Sequence, residues 1–250
     1  SSIVQSLDSL DPGAKRIALH IVPRSGRVNA FLVDERGRGL KALGGDMVNA
    51  SPDPSKVVVI PAIPHMKRSD KALGHTLRVI APGDVDARIS VELISTKGSF
   101  IPVGFADRAI KAGIVTEIPL NPQLVPSTFA LRISSDRPIA ASVYSSTYAQ
   151  AKSDFVWSTS TAEMTEYSLA VSGLAPTLVF SGDKISVSIS ILYTNKKEKK
   201  LTVTGEGIAT FTVPENARTI NFIKVSDETV GGSLISTQSG FGYLPLIPGS

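Results

Sequence analysis

Three histidines, His20, His65 and His75, are the only imidazoles available as a general base in this chain of 250 residues. A hydrolytic triad would need one of them beside a nucleophile and an orienting carboxylate. Neither a G-x-S-x-G elbow nor an S-x-x-K pair with partners is present to supply the nucleophile. His20 falls on the outward face of a strand-like segment, and His65 and His75 flank a charged loop, so each reads as a surface imidazole. A zinc site drawn from all three would have to close a long loop and has no ligand spacing to recommend it. The absence of cysteine excludes thiol chemistry, disulfides and sulfur-based metal sites. Asp84 and Asp86 in PGDVDA could offer two oxygens to calcium. The plainer reading is a turn whose Asp side chains accept nearby backbone amides. Asp34 with Glu35 is not a carboxylate pair, because neighbours on a strand point to opposite faces. Asp107 and Glu117 read as solvated charges. No catalytic residue, metal or cofactor site is therefore expected.

Two features are better suited to binding than to catalysis. Lys196, Lys197, Lys199 and Lys200, in NKKEKK, fall between two strand patterns and so at a hairpin tip. Such a tip could dock on an anionic envelope polymer, each lysine adding about 1 kcal/mol, or simply keep the edge soluble. Trp157 is the only tryptophan. After Asp154, Phe155 and Val156 it is expected to be buried between units; exposed, it would be a sugar-stacking platform. The loop DERGRG from Asp34 to Gly39 reads as an exposed turn, since no strand-to-helix phosphate cradle surrounds it.

The net charge of +4 arises from 26 basic and 22 acidic residues dispersed along the chain. With no basic stripe interleaved with aromatics, nucleic acid is not an expected partner. No apolar run reaches the ~18 residues of a membrane-spanning helix, and the longest, Val57 to Ile63, contains Pro61. No basic and apolar leader opens the chain. Because it begins almost directly on a hairpin pattern that elsewhere closes a module, it reads as part of something longer.

The elements that would position these residues are strands. Three stretches, Ile17 to Asp34, Phe129 to Ser145 and Thr219 to Ser236, read as strand, turn and strand, which the period of two makes a β-hairpin. Their inward positions match: Ile17, Leu19, Ile21 with Val28, Ala30, Leu32; Phe129, Leu131, Ile133 with Ile139, Ala141, Val143; Ile220, Phe222 with Val230, Gly232, Leu234. Lys184 to Leu192, with Ile185, Val187, Ile189 and Ile191 inward, repeats Arg88 to Ile94. An acid followed by two apolar residues recurs after the first two hairpins, at Asp46-Met47-Val48 and Asp154-Phe155-Val156. Four prolines between residues 44 and 64, Pro52, Pro54, Pro61 and Pro64, forbid helix and leave one edge strand, Val57 to Ile60. Phe105 to Gly113 is read as one helical turn. The size and rhythm predict an all-β chain of tandem immunoglobulin-like antiparallel β-sandwich units. Residues 1–66 would be the closing hairpin and crossing segment of an incomplete unit, with full units at 67–165 and 166–250.

The segments RIALHIVPRSGRVNAFLVDERGRGL with LGGDMV, LRVIAPGDVDARISVELISTKGSFIPVG, and ALRISSDRPIAASVYS with SDFVW resemble a family of exported actinobacterial large secreted proteins of uncharacterised function. The resemblance covers most of residues 16 to 160. It implies an extracellular or envelope-attached β-rich region and carries no catalytic motif. The expected function is thus a non-enzymatic structural or interaction module outside a cell or in its envelope, with protein or glycan as partner. The alternative is a carbohydrate-binding accessory region of an envelope enzyme.

Overall fold

The computed structural model describes residues 3–26, 28–36, 44–64, 74–120, 127–149, 152–171, 175–236 and 241–246. Apart from one helical turn with no buried residue, α1 (Leu7–Leu10), their regular structure is β-strand throughout. The all-β expectation holds, and every pairing between strands is antiparallel.

A single strand organises the centre of the molecule. The first strands are β1 (Phe31–Arg36), β2 (Gly44–Asn49), β3 (Ser55–Ile63), β4 (Gly74–Ile80), β5 (Ala87–Ser95), β6 (Gly98–Phe100), β7 (Arg108–Ile110) and β8 (Thr116–Leu120). The central one is β9 (Phe129–Ala149), 21 residues long, followed by β10 (Lys152–Thr159). The first half of β9 pairs with β5 and β3, and its second half pairs with β4 and β10. One strand thereby belongs to both faces of a sandwich: β6 and β7 beside β5, β9 and β3 on one side, and β8, β4, β9 and β10 on the other. Phe129, Leu131, Ile133, Ile139, Ala141 and Val143 all enter the core between those faces, joined by Leu77, Val79, Ile89, Val91 and Leu93. Pro138, which lacks an amide donor, sits where the ladder with β3 jumps from Ser134 to Ile139.

The C-terminal strands repeat this pairing with different breaks in the chain. They are β11 (Glu166–Ala170), β12 (Thr177–Tyr193), β13 (Glu198–Thr212), β14 (Ala217–Lys224), β15 (Gly231–Ser236) and β16 (Gly242–Pro245). Here β12 is the shared strand: its first half pairs with β15, its second half with β14, and β13 runs beside both. Thus β12 does the work of β4 plus β5, β14 plus β15 that of β9, β11 that of β3, and β16 that of β10. A one-residue bulge between Gly182 and Ile185 switches the inward parity of β12. Leu178 and Phe180 point inward before it, and Ile185, Val187, Ile189 and Ile191 after it.

None of the three expected hairpins forms as such. Residues 17–26 and 28–30 contain no strand, and Leu19, Ile21 and Val28 are exposed. Phe129 to Ser145 is continuous strand, and β14 and β15 bond to β12 rather than to each other. Alternation marks which side chains face inward, not which strand lies alongside. The pairs that close are β1/β2, β9/β10 and β15/β16: in each, the second half of the expected hairpin pairs with the segment that follows it. Phe105 to Gly113 is not a helical turn either, since Arg108–Ile110 bonds to β5. The strand expected at Val57 to Ile60 runs from Ser55 to Ile63, and its Ile60 and Ile63 enter the central core although sequence placed them with the first 66 residues. His65 and residues 37–39 of the DERGRG loop lie outside the described residues.

The two sandwiches share a third cluster made of Ala62, Ile94, Ala130 and Val156 from the central strands with Val179, Ile208, Ile235 and Tyr243 from the C-terminal ones. Gly207 lies at this junction with φ of +73, and a Cβ there would come within 3.0 Å of Ile94 Cγ2 and 3.1 Å of Ser95 O. Gly207→Ala is therefore expected to lower stability by about 1–3 kcal/mol through combined strain and steric conflict. Gly98→Ala, at φ +111 with nothing near its Cβ, isolates the strain alone. Urea denaturation in which the two variants lost the same stability would show that the junction yields freely at this point.

Candidate functional site

Phe155, Val156 and Trp157 occupy successive positions of β10, so a period of two sends them to opposite faces. Val156 points into the junction with the C-terminal sandwich. Phe155 and Trp157 point the other way, against Tyr144 of β9, with ring centroids 5.7 and 5.1 Å from it. Trp157 is only 8% exposed. Its Nε1 donates to Asp34 Oδ2 at 2.9 Å, and its backbone amide donates to Asp46 Oδ2 at 2.7 Å. The guanidinium of Arg78 lies 4.8 Å from its ring centroid, a cation–π contact worth about 0.5–2 kcal/mol. Arg78 is held in turn by Glu117, at 2.8 Å. The indole is buried as expected, but what covers it is the β1/β2 hairpin, not the C-terminal unit.

Three carboxylates converge on this junction. Asp46 and Asp154 each accept their own following amide, from Met47 and Phe155, at 2.9 Å. Each then uses its second oxygen on a later closing strand or its approach: Asp46 accepts from Trp157, and Asp154 accepts from Phe241 N at 2.7 Å. Gly44, at φ +114, brings β2 close enough that a Cβ would sit 3.1 Å from Asp154 Oδ1. Burial holds the Asp46 carboxyl above its ordinary value of 3.8, and the charges of Asp154 and Asp34 push the same way against the amides of Trp157 and Met47. These oxygens are already acceptors of N–H groups, and among the described residues no group of three potential ligands could hold a metal. The acid that recurs in the sequence is thus a tie between successive closing strands.

Lys196 and Lys197 lie in the turn where the sequence placed all four lysines, whereas Lys199 and Lys200 are already in β13, opposite Ile191 and Ser190. Tyr193 and Lys197 close the β12–β13 turn, Lys197 O accepting from Tyr193 N at 2.9 Å, and Lys196 takes a left-handed φ of 64. Asn195 Oδ1 accepts from Lys197 N at 3.1 Å. Lys196, Lys197, Lys199 and Lys200 are all exposed. Lys200 comes 3.9 Å from Glu198, and the other three make no ion pair among the described residues.

The residues with catalytic potential are deployed otherwise. His75 is not at the surface: it is 2% exposed on β4, its Nδ1 lies 2.7 Å from Ser145 Oγ, and its ring stands edge-on to Phe129. The surface reading fails because His75 lies on β4, not in the charged loop, and shares the inward parity of Leu77 and Val79. A histidine beside a serine is the start of a nucleophilic site, but here Ser145 is fully buried. His20 is exposed. Asp84 and Asp86 are exposed, and Asp86 Oδ1 accepts from Ala112 N at 2.9 Å. A shallow charged groove of ≈ 460 Å³ follows the inter-sandwich junction past Lys97, Arg132, Asp183 and Glu206. Arg132 is committed there, at 2.5 Å to Asp183 and 3.4 Å to Glu92. Arg78, Tyr144 and Asp34 were not legible as parts of one site, since their closeness depends on pairings between distant strands.

Trp157→Ala is expected to cost ~3 kcal/mol or more, as large-to-small core changes do. In the parent protein tryptophan emission should be blue-shifted and poorly quenched by acrylamide; a red-shifted, readily quenched signal would contradict the covered indole. A second expectation concerns pH. A carboxyl whose folded value is raised favours folding below its ordinary 3.8, and that contribution is lost as pH rises through the raised value. Asp46→Asn has no such titration, so its stability relative to the parent should improve from acid to neutral pH. A difference in urea midpoints that is flat with pH, or runs the other way, would refute the buried-carboxylate account.

Comparison with known proteins adds a family but no activity. No curated protein matches the chain. A solved structure, that of Thermotoga maritima 1070, is 13% identical, with 43% of this chain and 93% of that one aligned at a TM-score of 0.35, a likeness too slight to carry any conclusion. Residues 1–214 match the model described as Family of unknown function (DUF5719), and the chain belongs to that family.

Proposed function

We propose that this protein is a non-enzymatic structural or interaction module of a cell exterior or envelope. In this reading its immunoglobulin-like units form a stiff array that presents a cationic tip to an anionic envelope polymer. The observation that carries the proposal is the apolar cluster shared by the two sandwiches, with Ala62, Ile94, Ala130 and Val156 packed on Val179, Ile208, Ile235 and Tyr243. A continuous core across a junction restricts hinge motion, which suits a spacer or scaffold. The resemblance of residues 16–160 to exported proteins supports an extracellular or envelope location. No helix among the described residues is long and apolar enough to cross a membrane.

The carbohydrate-binding alternative needed Trp157 as an open stacking face. The ring is covered by the β1/β2 hairpin and hydrogen-bonded through Nε1, which favours the first reading over that one.

Replacing Lys196, Lys197, Lys199 and Lys200 with serine tests the proposal. Stability should change by less than ~0.5 kcal/mol, as exposed substitutions usually do. Affinity for a poly(glycerol phosphate) polymer in low salt should fall more than about a hundredfold, at about 1 kcal/mol per lysine. Unchanged binding would remove the tip from the proposal. Hydrolysis of ester, peptide or glycoside substrates, abolished by His75→Ala in a variant that still folds, would overturn the non-enzymatic reading.

A further inference from the structure

The three closing hairpins present the same cross-strand pair on the same outer face. One residue after the matched positions Leu32, Val143 and Leu234 stand Val33, Tyr144 and Ile235, which lie opposite Met47, Trp157 and Tyr243. In the last hairpin the pair is covered by the central sandwich: Ile235 and Tyr243 are 5% and 8% exposed. In the middle hairpin it is covered by β1/β2, and Trp157 is 8% exposed. In both cases the cover comes from elements earlier in the chain. The first hairpin breaks the series, for Val33 and Met47 are 56% and 57% exposed, with Phe31 beside them at 60%. Its opposite face is already committed, since Asp34, Gly44 and Asp46 turn toward β10.

We infer that the Phe31, Val33 and Met47 face of the β1/β2 hairpin is a docking surface for the closing hairpin of a further repeat unit, an extended strand pair carrying an acid on its second strand. The repeat itself specifies the occupant. What covers Tyr144 and Trp157 is a hairpin whose second strand supplies Asp46 to a backbone amide of β10, and Asp154 of β10 does the same for the approach to β16. The tail of a second copy does not fit this role, because residues 241–245, FGYLP, hold no carboxylate. Three large apolar side chains grouped on one exposed hairpin face are also an unfavourable surface unless something covers them. The inference deepens the array reading, while its test is independent of the lysine tip.

The probe is a backbone-cyclised peptide of residues 30–51, which reproduces a closing hairpin with its acid, titrated into the whole protein. The Met47 methyl resonance should shift saturably while that of Met164, buried in the C-terminal core, stays fixed. Val33→Lys with Met47→Lys should abolish the peptide's effect on backbone amides of β1 and β2, with tryptophan emission unchanged as the check on folding. A peptide carrying Asp46→Asn should bind about tenfold or more weakly, the loss of one charge-assisted hydrogen bond. No shift at millimolar peptide, or binding indifferent to the two lysine substitutions, would overturn the inference. So would self-association of the protein without peptide that the same substitutions remove, since the occupant would then be a second copy.

Discussion

Everything in this fold depends on one strand in each sandwich belonging to both of its faces. A strand of ordinary length pairs within one sheet, and the two sheets are then related only by side-chain packing. In this chain β9 and β12 hydrogen-bond on both sides of the core, so register in one sheet constrains register in the other. A slip of one residue along β9 would turn Leu131, Ile133, Ile139 and Val143 away from the core together. That is a larger penalty than either half-strand would impose alone. It also accounts for the two different ways in which the units break their chains, since only one strand per unit has to remain continuous.

The carboxylates at Asp46 and Asp154 solve the problem created by stacking such units. Where one closing hairpin lies over another, backbone amides of the lower strand are no longer free to bond to water, and an unpaired buried N–H costs about 1–3 kcal/mol. Asp46 accepts the amide of Trp157, and Asp154 accepts that of Phe241. A charged acceptor bonds an amide more strongly than a neutral one, but burying it is costly, and the raised Asp46 value records that cost. Lining the remaining space with Tyr144, Phe155 and Trp157 keeps water away and strengthens the same bonds.

The inward face of nearly every complete strand was legible in the sequence, because alternation is a local property. Leu131, Val143, Val187 and Ile189 are all fully buried, in the cores where their spacing placed them. What alternation does not contain is the partner. Phe129 to Val143 keeps one parity from end to end, which fits a single long strand as well as a hairpin, and the serines, Asp136 and Pro138 of SSDRP weighted the reading toward a turn. In the first copy the pattern at Ile17, Leu19 and Ile21 is equally regular, yet no strand forms there. Alternation creates an apolar face but does not supply the sheet that would pair with it. The junction residues were legible only in part: the recurrence of an acid at Asp46 and Asp154 was visible, whereas Arg78 over Trp157 and Ser145 beside His75 join positions brought together only by the β4–β9–β10 pairing.

Covering Trp157 from one side and Val156 from the other has a mechanical consequence that either contact alone would lack. β10 is gripped on both faces, by β1/β2 through Asp34 and Asp46 and by the C-terminal sandwich through Val179, Ile208, Ile235 and Tyr243. Rotation at either junction would have to pull apolar or hydrogen-bonded groups off the same short strand, so neither junction relaxes independently of the other. The backbone ladder of β9 and β10 ties both contacts to the central sandwich. The aromatic and acidic residues that a search for chemistry first singles out are the ones this linkage uses: Trp157 is bonded to Asp34 and Asp46, and Asp154 to the approach to β16.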